Sequence, residues 1–265
     1  MAAYSGMLED MDTQIGRLLK DLKRRGKLEN TLVVFLSDNG PDWSEPNHTP
    51  AARAWYDERY PDRSMAAMGG PGTFPTRGPQ WAQLSAAHFK GYKGSSPEGG
   101  VHVPLIVSWP KKIQGGRRSE VFSFVTDIVP TLLAAAEIDH PAIAGRNELY
   151  KPDGSNMLPL LLQEQDNIRP DGQAVAYELM KDAAIYQDDF KLVRVGAPFG
   201  DNQWMLFNLK KDPSELNDVS RENPARFESM KLMFGQYKKD YGVIPTPQNF
   251  SVYRALLGQD PLGTD

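Results

Sequence analysis

The apolar positions Tyr4, Leu8, Met11, Ile15, Leu18 and Leu22 recur at alternating steps of four and three. That spacing lays them along one face of a helix. The stretch "LKRRG" then puts basic residues in the last turn and Gly26 just beyond it, as a helix end requires. Leu32 to Leu36 follows as an unbroken apolar run, the pattern of a strand covered on both faces. Helix followed by buried strand suggests half of a parallel α/β unit. "VPLIVSWP", Val103 to Pro110, reads as a second buried strand closed by a proline.

"SEVFSFVTDIVPTLLAAAEI" gives a short extended piece and then a helix, with Pro130 tolerable only in its first turn. "DGSNMLPLLLQ" predicts another short helix after a turn. Around Arg169 the period changes from helical to alternating. "AVAYELM", "AAIYQDDFKLVRV" and "WMLFNLKKDP" are strands separated by turn residues, which predicts a small antiparallel sheet. A helix follows in "NPARFESMKLMFGQYKKDYG", with Phe227, Met230, Met233, Phe234 and Tyr237 on one face. The expected organisation is α/β: residues 1–168 in a mostly parallel-sheet domain, and 169–265 as an antiparallel subdomain with a packed helix and a tail.

Composition narrows the function classes. A net charge of -4, with no Lys/Arg run longer than three, gives no electrostatic footprint for nucleic acid. No apolar run is long enough to span a membrane. The absence of cysteine removes disulfides, thiolate metal sites and cysteine nucleophiles together. The chain has 21 prolines and 23 glycines, and they cluster between Pro41 and Gly100, where Trp43, Trp55, Tyr56, Tyr60 and Trp81 mark shaped loops and not a disordered linker. The N-terminus carries no signal-peptide pattern and is amphipathic from its first residues. So abrupt a start leads us to expect a missing upstream portion.

The strand candidate "TLVVFLSDNG" ends in Asp38-Asn39-Gly40. Asn-Gly is a strong hairpin signal, yet "PDWSEPNHTP" holds three prolines and no alternation, so no return strand follows. Two readings stay open. Asp38 and Asn39 offer one anionic and one neutral oxygen to a hard cation, or they cap a loop. In "FKGYKGSSPEGGVHVP", Lys90 and Lys93 sit in a glycine- and serine-rich loop ahead of the second strand. A lysine there places a point charge on an anionic substrate, or is simply solvated. Glu98 looks structural, able to satisfy loop amides, while Gly99 and Gly100 permit close backbone approach. His48, His88, His102 and His140 show no metal-ligand spacing, and of these only His88 lies near the lysines. No nucleophile elbow or Walker loop is present.

With those residues in view, the chain resembles the sulfatase family. "YSGMLEDMDTQIGRLLKDLKRRGKLENTLVVFLSDNG" is similar to the segment ahead of that family's second pair of metal ligands. "KGSSPEGGVHVPLIVSWP" is similar to its lysine loop and following strand. "VTDIVPTLLAAAEI", "DGSNMLPLLL" and "DDFKLVRV…WMLFNLKKDPSELNDVS" follow in the family's order. "GPQWAQLSAAHFKGYK" and "YKKDYGVIPTP" resemble the bacterial arylsulfatase group.

The resemblance implies part of an alkaline-phosphatase-like sandwich with a mostly parallel sheet, then a small antiparallel sheet with a helix. It implies hydrolysis of sulfate esters through a formylglycine nucleophile with Ca²⁺, or Mg²⁺ in some members. Asp38 and Asn39 match two of the metal ligands, and Lys93 matches the lysine that contacts the substrate sulfate. Two departures are visible. His102 stands where the family usually has arginine. The formylglycine motif, Cys or Ser followed by x-Pro-x-Arg, occurs nowhere: "SEPNH" and "SSPEG" have serine and proline but no arginine. The family's first pair of acidic metal ligands and its upstream lysine and histidines have no counterpart either.

The expectation is therefore the C-terminal part of an arylsulfatase-like enzyme. It would take a small-molecule sulfate ester, be inactive alone, bind neither nucleic acid nor membrane, and be prone to self-association. A phosphatase, phosphodiesterase or phosphonate hydrolase of the same superfamily is the alternative within that fold. A non-catalytic interaction module is the alternative outside it. The compartment, bacterial cytoplasm or periplasm, is left open.

Overall fold

The computed structural model describes residues 2–44, 50–139, 150, 152–197, 199–247 and 250. His48 and His140 fall outside them. The described chain forms two compact units, each drawn from separated stretches: residues 38–103 with 172 onward, and residues 2–37 with 104–171.

The second of these units begins with α1 (Ala2–Arg24). Gly26 ends the helix with φ +67°, and the Lys27 N–H donates to Leu22 O at 2.9 Å. Glycine suits this left-handed position because it has no Cβ to clash. The helix is where its periodicity puts it, yet none of its residues is buried, and Leu8, Met11 and Leu18 are exposed.

β1 (Val33–Leu36) pairs with β2 (Leu105–Ser108), Val34 facing Val107 and Phe35 facing Ile106. The pair is antiparallel, where the helix–strand succession had suggested a parallel neighbour. A connection this long allows either sense in a mixed sheet. Neither strand is fully buried. Val34 and Val107 look onto an apolar crevice shared with Ile128, Leu132 and Met157, whereas Ile106 on the other face is 60% exposed.

Two short helices follow in the same unit, α5 (Ile128–Ala135) and α6 (Leu158–Leu161). Asp127, just before α5, is fully buried and holds three segments together. Its carboxylate accepts from the Phe124 and Ser155 amides, each at 2.7 Å, and pairs with Arg169. Thr131 continues the link by donating to Asp127 O and accepting from the Met157 amide.

The other unit carries α2 (Pro50–Arg59), α3 (Gly78–Ala86) and the single turn α4 (Glu98–Val101). A four-stranded antiparallel meander follows: β3 (Val175–Leu179), β4 (Asp182–Gln187), β5 (Phe190–Arg194) and β6 (Trp204–Asn208). The last helix, α7 (Pro224–Asp240), packs on one face of this sheet. Met230 and Phe234 are buried there against Ala183, Ile185, Leu192 and Leu206, flanked by Phe227, Met233 and Tyr237. Each fully buried Ile, Leu, Met or Phe among them contributes about 1.5–3 kcal/mol of transfer free energy. The face predicted for α7 is the face buried. The opposite side of the sheet buries Ala184, Tyr186, Val193, Val195 and Phe207.

The α/β class, the small antiparallel sheet and the packed helix are all present.

Candidate functional site

Asp38, Asn39 and Lys93 all belong to the unit that contains the meander. Asp38 is exposed, Asn39 half-buried and Gly40 buried. No tight hairpin forms, since the strand paired with β1 comes almost seventy residues later. The chain after Asn39 runs instead along the lysine loop. The Gly40 amide donates to Gly100 O at 2.8 Å, and the Lys93 amide donates to Pro41 O at 3.1 Å. The fit is close enough that a Cβ on Gly40 would run into the Gly99 carbonyl. A side chain at Gly40 would therefore pry the two segments apart.

Within this seam the Asn39 side-chain amide donates to Gly40 O at 3.1 Å. The Lys93 ammonium lies 3.3 Å from Asp42 Oδ2. Burial pushes the Asp42 carboxyl up. Hydrogen bonds from Ser44, whose amide donates at 2.7 Å, and the charge of Lys93 outweigh burial and hold it below the usual carboxylate range. Asp42 is therefore an anion under ordinary conditions. Lys90, by contrast, is exposed and forms no ion pair among the described residues. His88 is likewise exposed, with its ring 4.5 Å from that of Phe89.

Beneath the loop lies a set of charges that the sequence reading did not anticipate. Lys191 on β5 is fully buried, and its ammonium donates to Ser96 O at 2.7 Å and to Glu98 Oε1 at 2.8 Å. It also lies 2.9 Å from Glu215 Oε1, out of line for a hydrogen bond. Glu215 in turn accepts the Glu98 amide at 2.6 Å. Tyr186 donates to Glu98 at 2.8 Å, and His102 Nδ1 lies 2.9 Å from its other oxygen. Asp182 accepts from the Ser96 and Gly196 amides.

Glu98 had been expected to satisfy loop amides. Its carboxylate binds Lys191, Tyr186 and His102, because the meander brings a cation and a phenol to it. Burial raises the Glu98 carboxyl, but the Lys191 charge and the hydrogen bonds from His102, Lys191 and Tyr186 hold it down at about 2. Burial and the neighbouring Glu98 charge instead keep Glu215 above its ordinary value. Lys191 is raised: burial disfavours the ammonium, and the two glutamates more than compensate.

As hard donors, Asp38 and Asn39 are of the right kind for Ca²⁺ or Mg²⁺, one carboxylate beside one amide oxygen. Two are far short of the six to eight oxygens Ca²⁺ takes. Among the described residues no group of three or more His, Cys, Asp or Glu side chains is placed to hold a metal. The donor set is therefore partial.

Residues 1–138 match the family model described as Sulfatase, and residues 96–236 match one described as N-sulphoglucosamine sulphohydrolase, C-terminal. An uncharacterized sulfatase of Schizosaccharomyces pombe is 31% identical over 252 residues, covering 94% of this chain and 45% of that protein. An arylsulfatase of Klebsiella aerogenes is 36% identical over 146 residues, 52% of this chain and 30% of that protein. Among solved structures, Ps i-CgsB in complex with a neocarrahexaose superposes with a TM-score of 0.62 at 26% identity, over 92% of this chain and 43% of that one. The chain thus spans less than half the length of these relatives.

Proposed function

This chain belongs to the sulfatase family, and from that premise we propose that its lysine loop and Asp38-Asn39 edge serve the hydrolysis of sulfate esters. In this reading Lys93 contacts the sulfate, while Asp38 and Asn39 give two ligands of a divalent cation, Ca²⁺ or alternatively Mg²⁺. The observation that supports it most directly is the seam between the two segments, closed by the Gly40–Gly100 and Lys93–Pro41 hydrogen bonds. That seam keeps Lys93 with the Asp38-Asn39 segment in one unit.

The roles follow from charge. A sulfate monoester carries negative charge that moves onto the ester oxygen as the S–O bond breaks. A lysine ammonium near those oxygens stabilises that development more than it stabilises the ground state. A divalent cation, when bound, would lower the cost of an anionic nucleophile. Sulfatases generally use a metal together with formylglycine. These 265 residues contain neither cysteine nor a Ser-x-Pro-x-Arg sequence, so no residue of theirs can be the formylglycine precursor. Stabilising groups without a nucleophile cannot start the reaction. We therefore read the chain as the part of an arylsulfatase-like hydrolase that stabilises charge, and as inactive alone.

The test is to assay the purified chain on phenyl sulfate with and without Ca²⁺, and to measure Ca²⁺ binding by calorimetry. No turnover and weak or no metal binding are expected. Turnover that survives repurification, or micromolar Ca²⁺ affinity, would refute the reading.

A further inference from the structure

Outside both apolar cores of the meander unit, three rings from three separate loops meet. Trp43 lies 5.8 Å from Tyr92 and 5.7 Å from Phe199, and Tyr92 lies 5.9 Å from Phe199, centroid to centroid. None of the three belongs to the clusters around Ile185 or Val193. Their edge-on and tilted arrangement is the one ring quadrupoles favour. Trp43 and Tyr92 are half-buried, whereas Phe199 keeps 43% of its surface exposed.

The position of the trio is specific. Trp43 follows Asp42 in the chain and Tyr92 precedes Lys93, so the two aromatic residues flank the Lys93–Asp42 ion pair. The indole nitrogen also lies over Gly94, where a Cβ would stand 3.8 Å from it. The ring cluster and the ion pair are thus carried by the same two loops, one residue apart on each. Purely as a staple the trio would gain nothing from leaving the Phe199 ring open to solvent, or from adjoining a half-exposed charge.

We propose that Trp43, Tyr92 and Phe199 form a ring-binding subsite beside Lys93, which takes the six-membered ring of a sulfate monoester. This rests on the reading of Lys93 as the sulfate-contacting residue. Aromatic faces stack on aryl rings and on the C–H faces of sugar rings alike, so the shared chemistry is a ring carrying a sulfate. The two sources, aryl and sugar sulfates, are told apart by the probes.

The full chain is titrated separately with phenyl sulfate, glucose 6-O-sulfate, phenol, glucose and inorganic sulfate, and followed by NMR. The Trp43 indole N–H is assigned by its loss in Trp43→Phe, and the Lys93 amide reports on the anion. Expected is a shift of both signals with a ring sulfate, and of the Lys93 amide alone with inorganic sulfate. Phe199→Ala should weaken the ring sulfates about tenfold and leave inorganic sulfate unchanged, with Phe199→Leu as a milder variant if alanine disturbs the fold. The sulfate, aryl or sugar, with the larger loss identifies the source.

Failures separate cleanly. Ring sulfates that move the Lys93 amide without the indole overturn the subsite and leave the Lys93 reading standing. Uncharged rings that move the indole while no sulfate moves Lys93 overturn the Lys93 reading and support the ring surface. An indole that responds to no ring compound, or Phe199 variants that bind ring sulfates as well as the parent, overturns the proposal.

Discussion

The Lys93–Asp42 pair and the Lys191–Glu98–Glu215 cluster are built from the same two functional groups at similar separations, 3.3 Å and 2.8–2.9 Å. In the first, the side chains are 45% and 51% exposed. In the second they are 0%, 8% and 1% exposed. Water screens the first pair, so breaking it costs little and an incoming anion can take the place of Asp42. Nothing can replace the glutamates around Lys191, because the meander and the Ser96–Glu98 turn enclose them. The buried cluster thus acts as a hinge pin for the loop, and the exposed pair is the part free to exchange partners. One lysine is structural because it has lost access to water, and the other can exchange partners because it has not.

The largest effect should come from removing the buried cation. Lys191→Met leaves two carboxylates buried against each other with no counter-charge, and breaking a buried pair in this way costs about 3–5 kcal/mol. Against a typical stability of about 5–15 kcal/mol, that is a large share. Lys93→Ala should change stability by under about 0.5 kcal/mol, since exposed pairs contribute little. Urea unfolding of the two variants side by side measures the contrast. Equal losses in both would erase the distinction between the pairs.

The next effect is pH dependence. Glu98 is held at about 2 in the fold, below its ordinary value of 4.5. A depressed carboxyl stabilises the fold above its unfolded value, and that stability is lost as pH falls through its folded value. The window is therefore about pH 4.5 down to 2, and the shift corresponds to about 3 kcal/mol. Glu215 is raised, so its contribution has the opposite sign and is lost as pH rises through its folded value. Glu98→Gln should lower stability at neutral pH and make the acid limb between 4.5 and 2 shallower. Glu215→Gln should not flatten that limb. Melting temperatures across the window, for parent and both variants, decide it. An unchanged slope in Glu98→Gln would mean that Lys191 is balanced chiefly by Glu215.

How much of this could be read from the sequence follows from how far apart the partners lie along the chain. The face of α7 and the strands of the meander depend on neighbours within a few residues, and periodicity found them. The placement of α1 was legible for the same reason. Its burial was not, because burial depends on what packs against a helix, and none of its residues is buried among those described. β1 and β2 read as strands covered on both faces and are only half-buried for the same reason. Asp42 pairs with a residue 51 positions away, and Lys191 with Glu98 at 93 positions. No local pattern marks such pairings. Lys191 even misleads, since a lysine in "DFKLVRV" suggests a solvent-facing position on an alternating strand. Both faces of β5 are covered instead, one by α7 and the other by the turn at Ser96. Asp38, Asn39 and Lys93 were singled out by the family resemblance, while spacing alone left each of them open.

The smallest effect is the most direct probe of the exposed pair. If Asp42 occupies Lys93 until an anion displaces it, then removing its charge should help anions bind. Asp42→Asn keeps the shape and the Ser44 hydrogen bond to Oδ1 while ending the competition. Two terms change together: the anion no longer has to break an ion pair, and a negative charge beside the sulfate disappears. For half-exposed groups these are worth about 0.2–1 kcal/mol, a factor of roughly 1.4 to five in sulfate affinity. The gain should shrink as salt rises from low to physiological ionic strength, because screening weakens the repulsion that was removed. Following the Lys93 amide shift against inorganic sulfate at two salt concentrations gives both numbers. Tighter binding in Asp42→Asn that fades with salt supports the competition, whereas weaker binding would make Asp42 a residue that holds Lys93 in position for the anion.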